Sequence, residues 1–146
     1  MERMAMKAVR WKEFAESAGE LASHVVDRLG GGRICYLATV RADGWPRVHP
    51  VGVHFRGEQM VVVMYPTSPK GRDITRNGRY AVHATVEDNE GGEGEVLVTG
   101  RAQPTETTAA DVERGWIAFE LLIGEVLAVE YEGEDLRPVS KRWRAP

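Results

Sequence analysis

The sequence has almost no cysteine and no long apolar run. Its single cysteine, Cys35, excludes a disulfide framework within the chain and favours a reducing compartment. The longest apolar runs have the length of strands and fall short of the roughly 20 residues that span a bilayer. No apolar signal segment follows the basic residues near the N-terminus. We therefore expect a cytoplasmic protein that does not cross a membrane.

An excess of positive charge is also absent. The formal net charge is −3, so no overall positive field points to nucleic acid or to an anionic membrane. Apolar residues make up 42% and charged residues 28% of the chain, both near the globular average. A length of 146 residues fits a single domain over 1–146 that buries its own core.

Recognisable motifs of catalysis and metal binding are missing as well. The chain has no Gly-x-Ser-x-Gly motif, and the run Gly30–Gly32 precedes a strand rather than following one, unlike a dinucleotide-binding loop. His24, His54 and His83 have no cysteine or carboxylate partners at metal-ligand spacing. The acidic segment 87–95 lacks the ordered spacing of a calcium loop. We expect no metal site and no catalytic side chain, so a cofactor carries the chemistry if the protein is an enzyme.

The spacing of apolar residues predicts one helix followed by a β-rich region. From Trp11 to Leu29 apolar residues recur every three or four positions, which predicts an amphipathic helix over about 11–29. Strands are predicted at Ile34–Val40, Pro46–Phe55, Met60–Tyr65, Tyr80–Val86, Glu95–Gln103 and Trp116–Tyr131, the last interrupted near Gly124. Pro104 and Thr105 are expected to open a polar helix that runs to about Gly115. The protein is therefore expected to be mainly β with peripheral helices.

Short connections between the predicted strands indicate an antiparallel meander. An open sheet of five or six strands would present free edges, so we expect the sheet to close into a barrel over about 33–144. Pro50 lies inside the second strand and has no N–H for a ladder bond. Its position implies an edge, a bulge or a stretch of backbone that faces something other than a strand.

The segment from Thr67 to Asp73 lies between a strand and a short helix and combines a hydroxyl with basic side chains. Ser68 suits the N-cap position, and the free N–H groups of a helix N-terminus attract anions. Lys70 and Arg72 add full positive charges, so the segment can bind a phosphate group. The alternative is an ordinary capped helix with solvated cations, and the motif alone favours that alternative.

Three further side chains on the first two predicted strands have both a functional and a structural interpretation. Arg47 could reach the same phosphate, and His49 could hydrogen-bond the edge of a ring. Taken alone, His49 is better explained as a half-buried strand histidine. Cys35 lies in an apolar strand and is better explained as an inert core thiol than as a nucleophile.

In order along the chain, several segments resemble the pyridoxamine-phosphate-oxidase-like, FMN-binding split β-barrel proteins. The hairpin Tyr36–Val51 carries Leu-Ala-Thr-Val, an Asp-Gly turn and Pro-Arg-Val-His-Pro-Val. The segments Ser68–Arg79 and Glu95–Ala102 are similar to the family's phosphate-binding stretch and its next signature strand. Phe119–Tyr131 and the tail Arg142–Arg144 are similar to its closing strands. The resemblance implies a six-stranded antiparallel split barrel that forms a homodimer, with FMN in the cleft between subunits.

The resemblance also implies a cofactor-binding set, which comprises Arg47, Val48, His49, Pro50, Val51, Met64, Tyr65, Ser68, Lys70, Arg72, Glu95 and Trp143. Ser68 and Lys70 would bind the phosphate, while Met64 and Tyr65 would lie beside the cofactor. Glu95 would lie near the ring, where the oxidases tend to have glutamine. Trp143 would close the pocket from the same or the partner subunit. Pro69 stands where the family often has an arginine, and Arg47 or Arg72 would supply the missing positive charge.

The function implied by the resemblance is an FMN-dependent oxidoreductase that transfers hydride through the flavin to or from a small-molecule substrate. One alternative is a reductase that uses the 8-hydroxy-5-deazaflavin coenzyme, whose longer acidic tail would need a basic groove. Another is a non-catalytic flavin- or haem-binding protein, for which His49 and His83 are the candidate axial ligands. No nucleic-acid or membrane partner is expected.

Overall fold

The computed structural model describes residues 6–87 and 92–146, so residues 88–91 of the acidic segment lie outside the described residues. The helices are α1 (Trp11–Ser17), α2 (Gly19–Leu29), α3 (Pro69–Asn77) and α4 (Ala109–Arg114). The strands are β1 (Ile34–Val40), β2 (Pro46–Arg56), β3 (Gln59–Met64), β4 (Arg79–Ala84), β5 (Glu95–Thr105), β6 (Ile117–Glu132) and β7 (Arg137–Arg144). None of these helices combines the length and the apolar character needed to cross a membrane.

Six of the strands form a closed antiparallel barrel. Their order is β3-β2-β1-β4-β5-β6, and β3 pairs with β6 to close the circle. Strand β7 extends the sheet as a hairpin partner of the second half of β6. The register of β5 on β6 shifts between Thr99 and Gly100, which makes Gly124 the extra residue of a bulge. This is the interruption that the sequence predicted, and the split-barrel prediction is confirmed.

The N-terminal segment forms two helices, so the prediction of one helix over about 11–29 is wrong. Helix α1 ends at Ala18, whose φ of −141° and ψ of 57° are not helical. Two local features favour the break: the Ser17 hydroxyl donates to the Phe14 carbonyl at 3.2 Å, and Gly19 is a poor helix former. Both helices still bury apolar faces, since Phe14 and Val25 are fully buried in the core.

The core fills the barrel and continues beneath α1 and α2. Inward-facing residues such as Leu37, Val82, Val98 and Leu121 are fully buried. At one end Phe14 packs edge-on against Trp143, with ring centroids 4.8 Å apart. Burial on this scale is the main stabilising contribution to a domain of this size.

The helix between β5 and β6 starts later than the sequence predicted. Pro104 and Thr105 are the last residues of β5, so the prediction that they open a helix is wrong. Helix α4 begins after Thr108, whose hydroxyl accepts the Asp111 N–H at 3.1 Å while the Asp111 carboxylate accepts the Thr108 N–H at 2.9 Å. This reciprocal capping fixes the start of the helix. Pro104 is tolerated in β5 because it lies at the end of the strand.

Strands β2 and β3 separate along part of their length, which splits the barrel wall. Strand β2 pairs with β1 from Pro46 to Gly52, but it pairs with β3 only from Val53 to Arg56. Pro50 therefore lies on a stretch of β2 that pairs with β1 on one side but not with β3 on the other. This agrees with one of the three interpretations from sequence, a stretch of backbone that faces something other than a strand. The opening between the two strands continues to the N-terminus of α3.

Candidate functional site

The split between β2 and β3 forms a cleft of about 580 Å³ on the outer side of the barrel. Its lining comprises Pro50, Val51, Gly52, His54, Val63, Met64, Tyr65, Thr67, Ser68, Pro69, Lys70 and Trp116. Most of these side chains are apolar, and the polar ones gather towards the two ends. This volume and this composition are typical of sites for small molecules and cofactors.

One end of the cleft is formed by the loop that enters α3. The Lys70 ammonium donates to the Ser68 hydroxyl at 2.9 Å, and partial burial lowers the pKa of Lys70 below the usual lysine value. No carboxylate pairs with Lys70 among residues 6–87 and 92–146. Ser68 is the N-cap residue of α3, but its side chain makes no capping bond within the described chain. Pro69 has no N–H, and the N–H groups of Gly71 and Arg72 donate to the Ser68 carbonyl at 3.1 and 3.3 Å. A desolvated cation and a hydroxyl thus converge at the positive end of a helix, and together they fit a phosphate group.

A second basic depression of about 290 Å³ lies on the other side of Pro69. Its centre is Asp73, 3% exposed, which accepts from Thr39 at 2.7 Å, from Arg47 at 2.8 Å and from Arg76 at 3.0 Å. Burial by itself would raise the pKa of Asp73, but these hydrogen bonds outweigh it and lower the pKa. The Asp73 carboxylate therefore stays ionised and fixes the Arg47 guanidinium in place.

Two histidines of β2 lie near this cationic region and near the cleft. Burial, together with the charges of Lys70 and Arg47, lowers the pKa of His49. Burial and the Arg56 charge likewise lower the pKa of His54, which lines the cleft. Both imidazoles are thus biased towards the neutral form at pH 7. A neutral histidine can donate one hydrogen bond and accept another, without adding charge to the site.

Aromatic side chains line the cleft where β3 and β6 end, beside the loop that enters α3, and this part of the cleft is the aromatic end. Because Met64 pairs with Ile117 at the ends of β3 and β6, Tyr65 and Trp116 are the next residues on the two strands. Both line the cleft. The Arg114 guanidinium lies over the Trp116 ring, 4.8 Å from its centroid, in a cation–π contact.

The structure brings together only part of the set that the resemblance implied. Pro50, Val51, Met64, Tyr65, Ser68 and Lys70 all line the cleft. Arg47 and Arg72 line the neighbouring depression, and Val48 is exposed on the outer face of the sheet.

Two residues of that set lie on other strands and do not line the cleft of their own chain. Glu95 on β5 lies 3.5 Å from His83 Nε2 and accepts from the Tyr131 hydroxyl at 3.4 Å. Trp143 on β7 packs against Phe14 in the core. A role for either residue at a cofactor therefore requires a second subunit.

Several cleft residues were not predicted from the sequence. His54, Val63, Thr67 and Trp116 were not singled out as cofactor contacts. His54 and Val63 follow the alternation of β2 and β3, so a correct strand register would have found them. Trp116 reaches the site only because β3 pairs with β6, a contact across more than 50 residues of sequence.

Cys35 is buried and does not line the cleft. Burial raises the pKa of the Cys35 thiol to about 11, and the thiol donates to the Leu29 carbonyl at 3.4 Å. Within the described parts of the chain no group of three or more His, Cys, Asp or Glu side chains is placed to hold a metal ion.

Comparison with known proteins identifies the fold and the family. A putative pyridoxamine 5'-phosphate oxidase from Listeria innocua is similar over 74% of this chain and 97% of its own, with 13% identity and a TM-score of 0.61. A heme-binding protein from Mycobacterium smegmatis is similar over 97% of this chain and 59% of its own, with 16% identity and a TM-score of 0.62. PhzG from Burkholderia lata, solved with tetrahydrophenazine-1-carboxylic acid, is similar over 92% and 93%, with 14% identity and a TM-score of 0.55.

At these identities the structural likenesses show the fold alone. A search of curated proteins finds no match. The family model described as pyridoxamine 5'-phosphate oxidase matches residues 21–140, which include all six barrel strands and the first half of β7. The chain therefore belongs to the pyridoxamine 5'-phosphate oxidase family.

Proposed function

We propose that the protein is a flavin-dependent oxidoreductase that holds FMN in the cleft between β2 and β3. The observation that carries the proposal is the phosphate-binding end, where half-buried Lys70 and Ser68 meet at the N-terminus of α3 without a carboxylate from the described chain. Such a cation is costly to bury unless an anion pairs with it. The apolar remainder of the cleft, with Met64 and Pro50, suits a flat ring system.

FMN would supply hydride transfer at its ring, while the side chains of this chain bind and orient it. Lys70 and Ser68 hold the phosphate, and Asp73 keeps Arg47 nearby in a fixed orientation. Apolar residues of β2 and β3 exclude water from the ring, which strengthens each polar contact in the cleft. His49 and His54, biased towards the neutral form, provide hydrogen bonds without an extra charge.

The protein is further proposed to act as a homodimer with the cleft at the subunit interface. Residues that face outwards on β1 and β2 form an apolar patch, in which Ile34, Tyr36 and Val48 are 52%, 45% and 61% exposed. Tyr36 pairs with Pro50, so this patch continues into the cleft. A second subunit on the patch would cover it and would bring its own Glu95 or Trp143 within reach of the cofactor.

The deazaflavin coenzyme is a second candidate because of the basic depression beside the phosphate end. Arg41, Arg47, Arg72 and Arg76 line it, against Asp43 and Asp73. The depression shares Pro69 with the cleft, so an acidic tail that extends beyond the first phosphate would enter it. Net positive charge in this depression suits such a tail.

A haem-binding role is the third candidate, and it draws on the likeness to the heme-binding protein of M. smegmatis. His83 is poorly suited as an axial ligand, because Nδ1 lies 2.6 Å from the Ala84 carbonyl and Nε2 lies 3.5 Å from Glu95. His49 is the better candidate, since a lowered pKa favours the neutral form that binds iron.

Titration with FMN, followed by flavin fluorescence, tests the proposal. We predict that Lys70→Ala raises the dissociation constant of FMN by roughly 10- to 150-fold, since a charged hydrogen bond contributes about 1.5–3 kcal/mol. Lys141→Ala, which removes an exposed lysine on β7, is the matched control and should leave FMN affinity unchanged. Equal affinities of the wild type and Lys70→Ala, with both proteins folded, would contradict the assigned role of Lys70.

Parallel titrations with the deazaflavin coenzyme and with haem distinguish the candidates. Tight binding of FMN supports the proposed function, and reduction of the bound flavin by a nicotinamide donor would add catalysis to it. If the protein binds only the deazaflavin coenzyme, and Arg72→Gln weakens that binding, the proposed cofactor would be the deazaflavin coenzyme instead of FMN. A haem-type absorption spectrum that His49→Ala abolishes would favour the third candidate.

A further inference from the structure

The aromatic end of the cleft carries a positive charge that has no acidic partner in the described chain. Arg114 lies over the Trp116 ring at 4.8 Å, yet no hydrogen bond or ion pair joins its guanidinium to another side chain among residues 6–87 and 92–146. Arg56 nearby differs, because the Asp111 carboxylate accepts its two N–H groups at 2.7 and 3.0 Å. Arg114 is thus the cation at this end that remains available to a ligand.

The backbone holds Arg114 and Trp116 in a fixed relation to the cleft. Helix α4 ends at Gly115, which has a φ of +72°, a conformation that glycine adopts without strain. The Trp116 N–H donates to the Asp111 carbonyl at 2.9 Å. Because Asp111 also caps α4 and binds Arg56 on β2, the turn that carries the aromatic–cation pair is anchored to the barrel.

We propose that Arg114 and Trp116 form a subsite for the carboxylate-bearing ring of a planar aromatic substrate. The substrate's ring contacts the neighbouring faces of Trp116 and Tyr65, and its carboxylate accepts two parallel N–H bonds from Arg114. This inference deepens the proposed function and rests on it, since it assigns the substrate class of the same cleft.

Charge and shape at this end favour a monoanionic carboxylate over other groups. Asp111 neutralises Arg56, and His54 is biased towards the neutral form, so Arg114 is the positive charge beside Trp116 that neither of them offsets. A planar guanidinium matches a carboxylate in two parallel bonds. The phosphate of the cofactor is assigned to Lys70 and Ser68, whose side chains contact each other at the start of α3.

The probe for this subsite is 1-naphthoate, with the neutral 1-naphthalenemethanol as its uncharged counterpart. Calorimetric titration of wild-type protein, with and without FMN, should show that naphthoate binds at least about tenfold more tightly than the alcohol. Arg114→Gln should abolish that preference, a loss of about tenfold or about 1.4 kcal/mol. Trp116→Leu should weaken both probes, and Arg137→Gln on β7 is the matched control that should leave both unchanged.

Three outcomes would overturn the inference. The wild-type protein does not bind naphthoate, it binds the two probes with equal affinity, or Arg114→Gln keeps the preference for naphthoate. If Arg114→Gln or Trp116→Leu weakens the binding of FMN as much as that of naphthoate, the pair belongs to the cofactor site instead. FMN affinity and its dependence on Lys70 are measured separately, so failure of this inference with FMN binding intact leaves the proposed function standing. Far-UV circular dichroism confirms that each variant is folded.

Discussion

Replacing Asp111 removes the carboxylate that joins helix α4 to strand β2. This side chain is 2% exposed, and the guanidinium of Arg56 donates two hydrogen bonds to it. The same carboxylate accepts the Thr108 N–H at the start of α4. The hydrogen bond from Arg56 is the largest of the effects on the carboxylate and outweighs its burial, so the pKa of Asp111 is lowered to about 2.

The lowered pKa gives the size of the expected effect. An aspartate in an unfolded chain has a pKa of about 3.9, so the folded state favours the ionised form by about 2.6 kcal/mol at pH 7. Loss of the capping contact adds about 1 kcal/mol. We therefore expect Asp111→Ala to lower the free energy of unfolding by about 3.6 kcal/mol at pH 7. Asp111→Asn keeps an acceptor oxygen for the cap and should cost about 2.6 kcal/mol, the charge-dependent part.

The effect should depend on pH in one direction. Because the folded pKa lies below the unfolded one, the stabilisation is fully present above about pH 4 and is lost as the pH falls towards about 2. At pH 3 about half of the charge-dependent part remains, about 1.3 kcal/mol. The difference between wild type and Asp111→Ala should thus narrow to about 2.3 kcal/mol at that pH.

Urea unfolding at pH 7, 4 and 3, followed by circular dichroism, measures these differences. Asp27→Ala, a change at an exposed aspartate of α2, is the matched control and should alter stability by less than about 0.5 kcal/mol at each pH. A difference for Asp111→Ala below about 1 kcal/mol at pH 7, or one that does not narrow in acid, would refute the reasoning.

Two further predictions concern the subunit interface and the barrel wall. Sedimentation of the wild-type protein at micromolar concentration should give twice the chain mass of 16.2 kDa. Val48→Glu on the exposed patch should dissociate the dimer and weaken FMN binding. Val112→Glu on α4 is the control and should do neither. A wild-type monomer that binds FMN tightly would contradict this proposal. Gly100→Ala should destabilise the fold by about 3 kcal/mol in urea unfolding, because an added Cβ would collide with the Leu122 carbonyl oxygen at the bulge. Gly19→Ala has open space around it and is the control; equal stability of the two variants would show that the bulge tolerates a side chain.

Much of the fold could be predicted because the relevant signals are local. Alternation of apolar residues gave the strands, and Gly124 indicated the break in β6 that the structure shows as a bulge. Helix ends were less predictable, because they depend on hydrogen bonds between side chains and the backbone that compete with the helix propensity of the residues. The break at Ala18 involves a serine hydroxyl and a glycine, and the start of α4 depends on the Thr108–Asp111 capping box rather than on Pro104.

The signal for the proposed phosphate-binding end of the site was also local. Ser68 and Lys70 are two residues apart at a helix start, and their side chains contact each other in the structure at 2.9 Å. Their chemistry is therefore determined by a short segment of sequence, together with the preference of helix N-termini for anions.

Tertiary structure decided which aromatic side chain joins that end and which cation keeps no acidic partner. Trp116 enters the cleft because β3 pairs with β6, and Arg114 stays available because the Asp111 carboxylate binds Arg56. Sequence spacing carries no information on either contact, since each joins segments far apart in the chain. By itself the sequence determined the six barrel strands, the family and the segment proposed to bind phosphate, whereas strand closure and competition between ion pairs decided which side chains share the cleft.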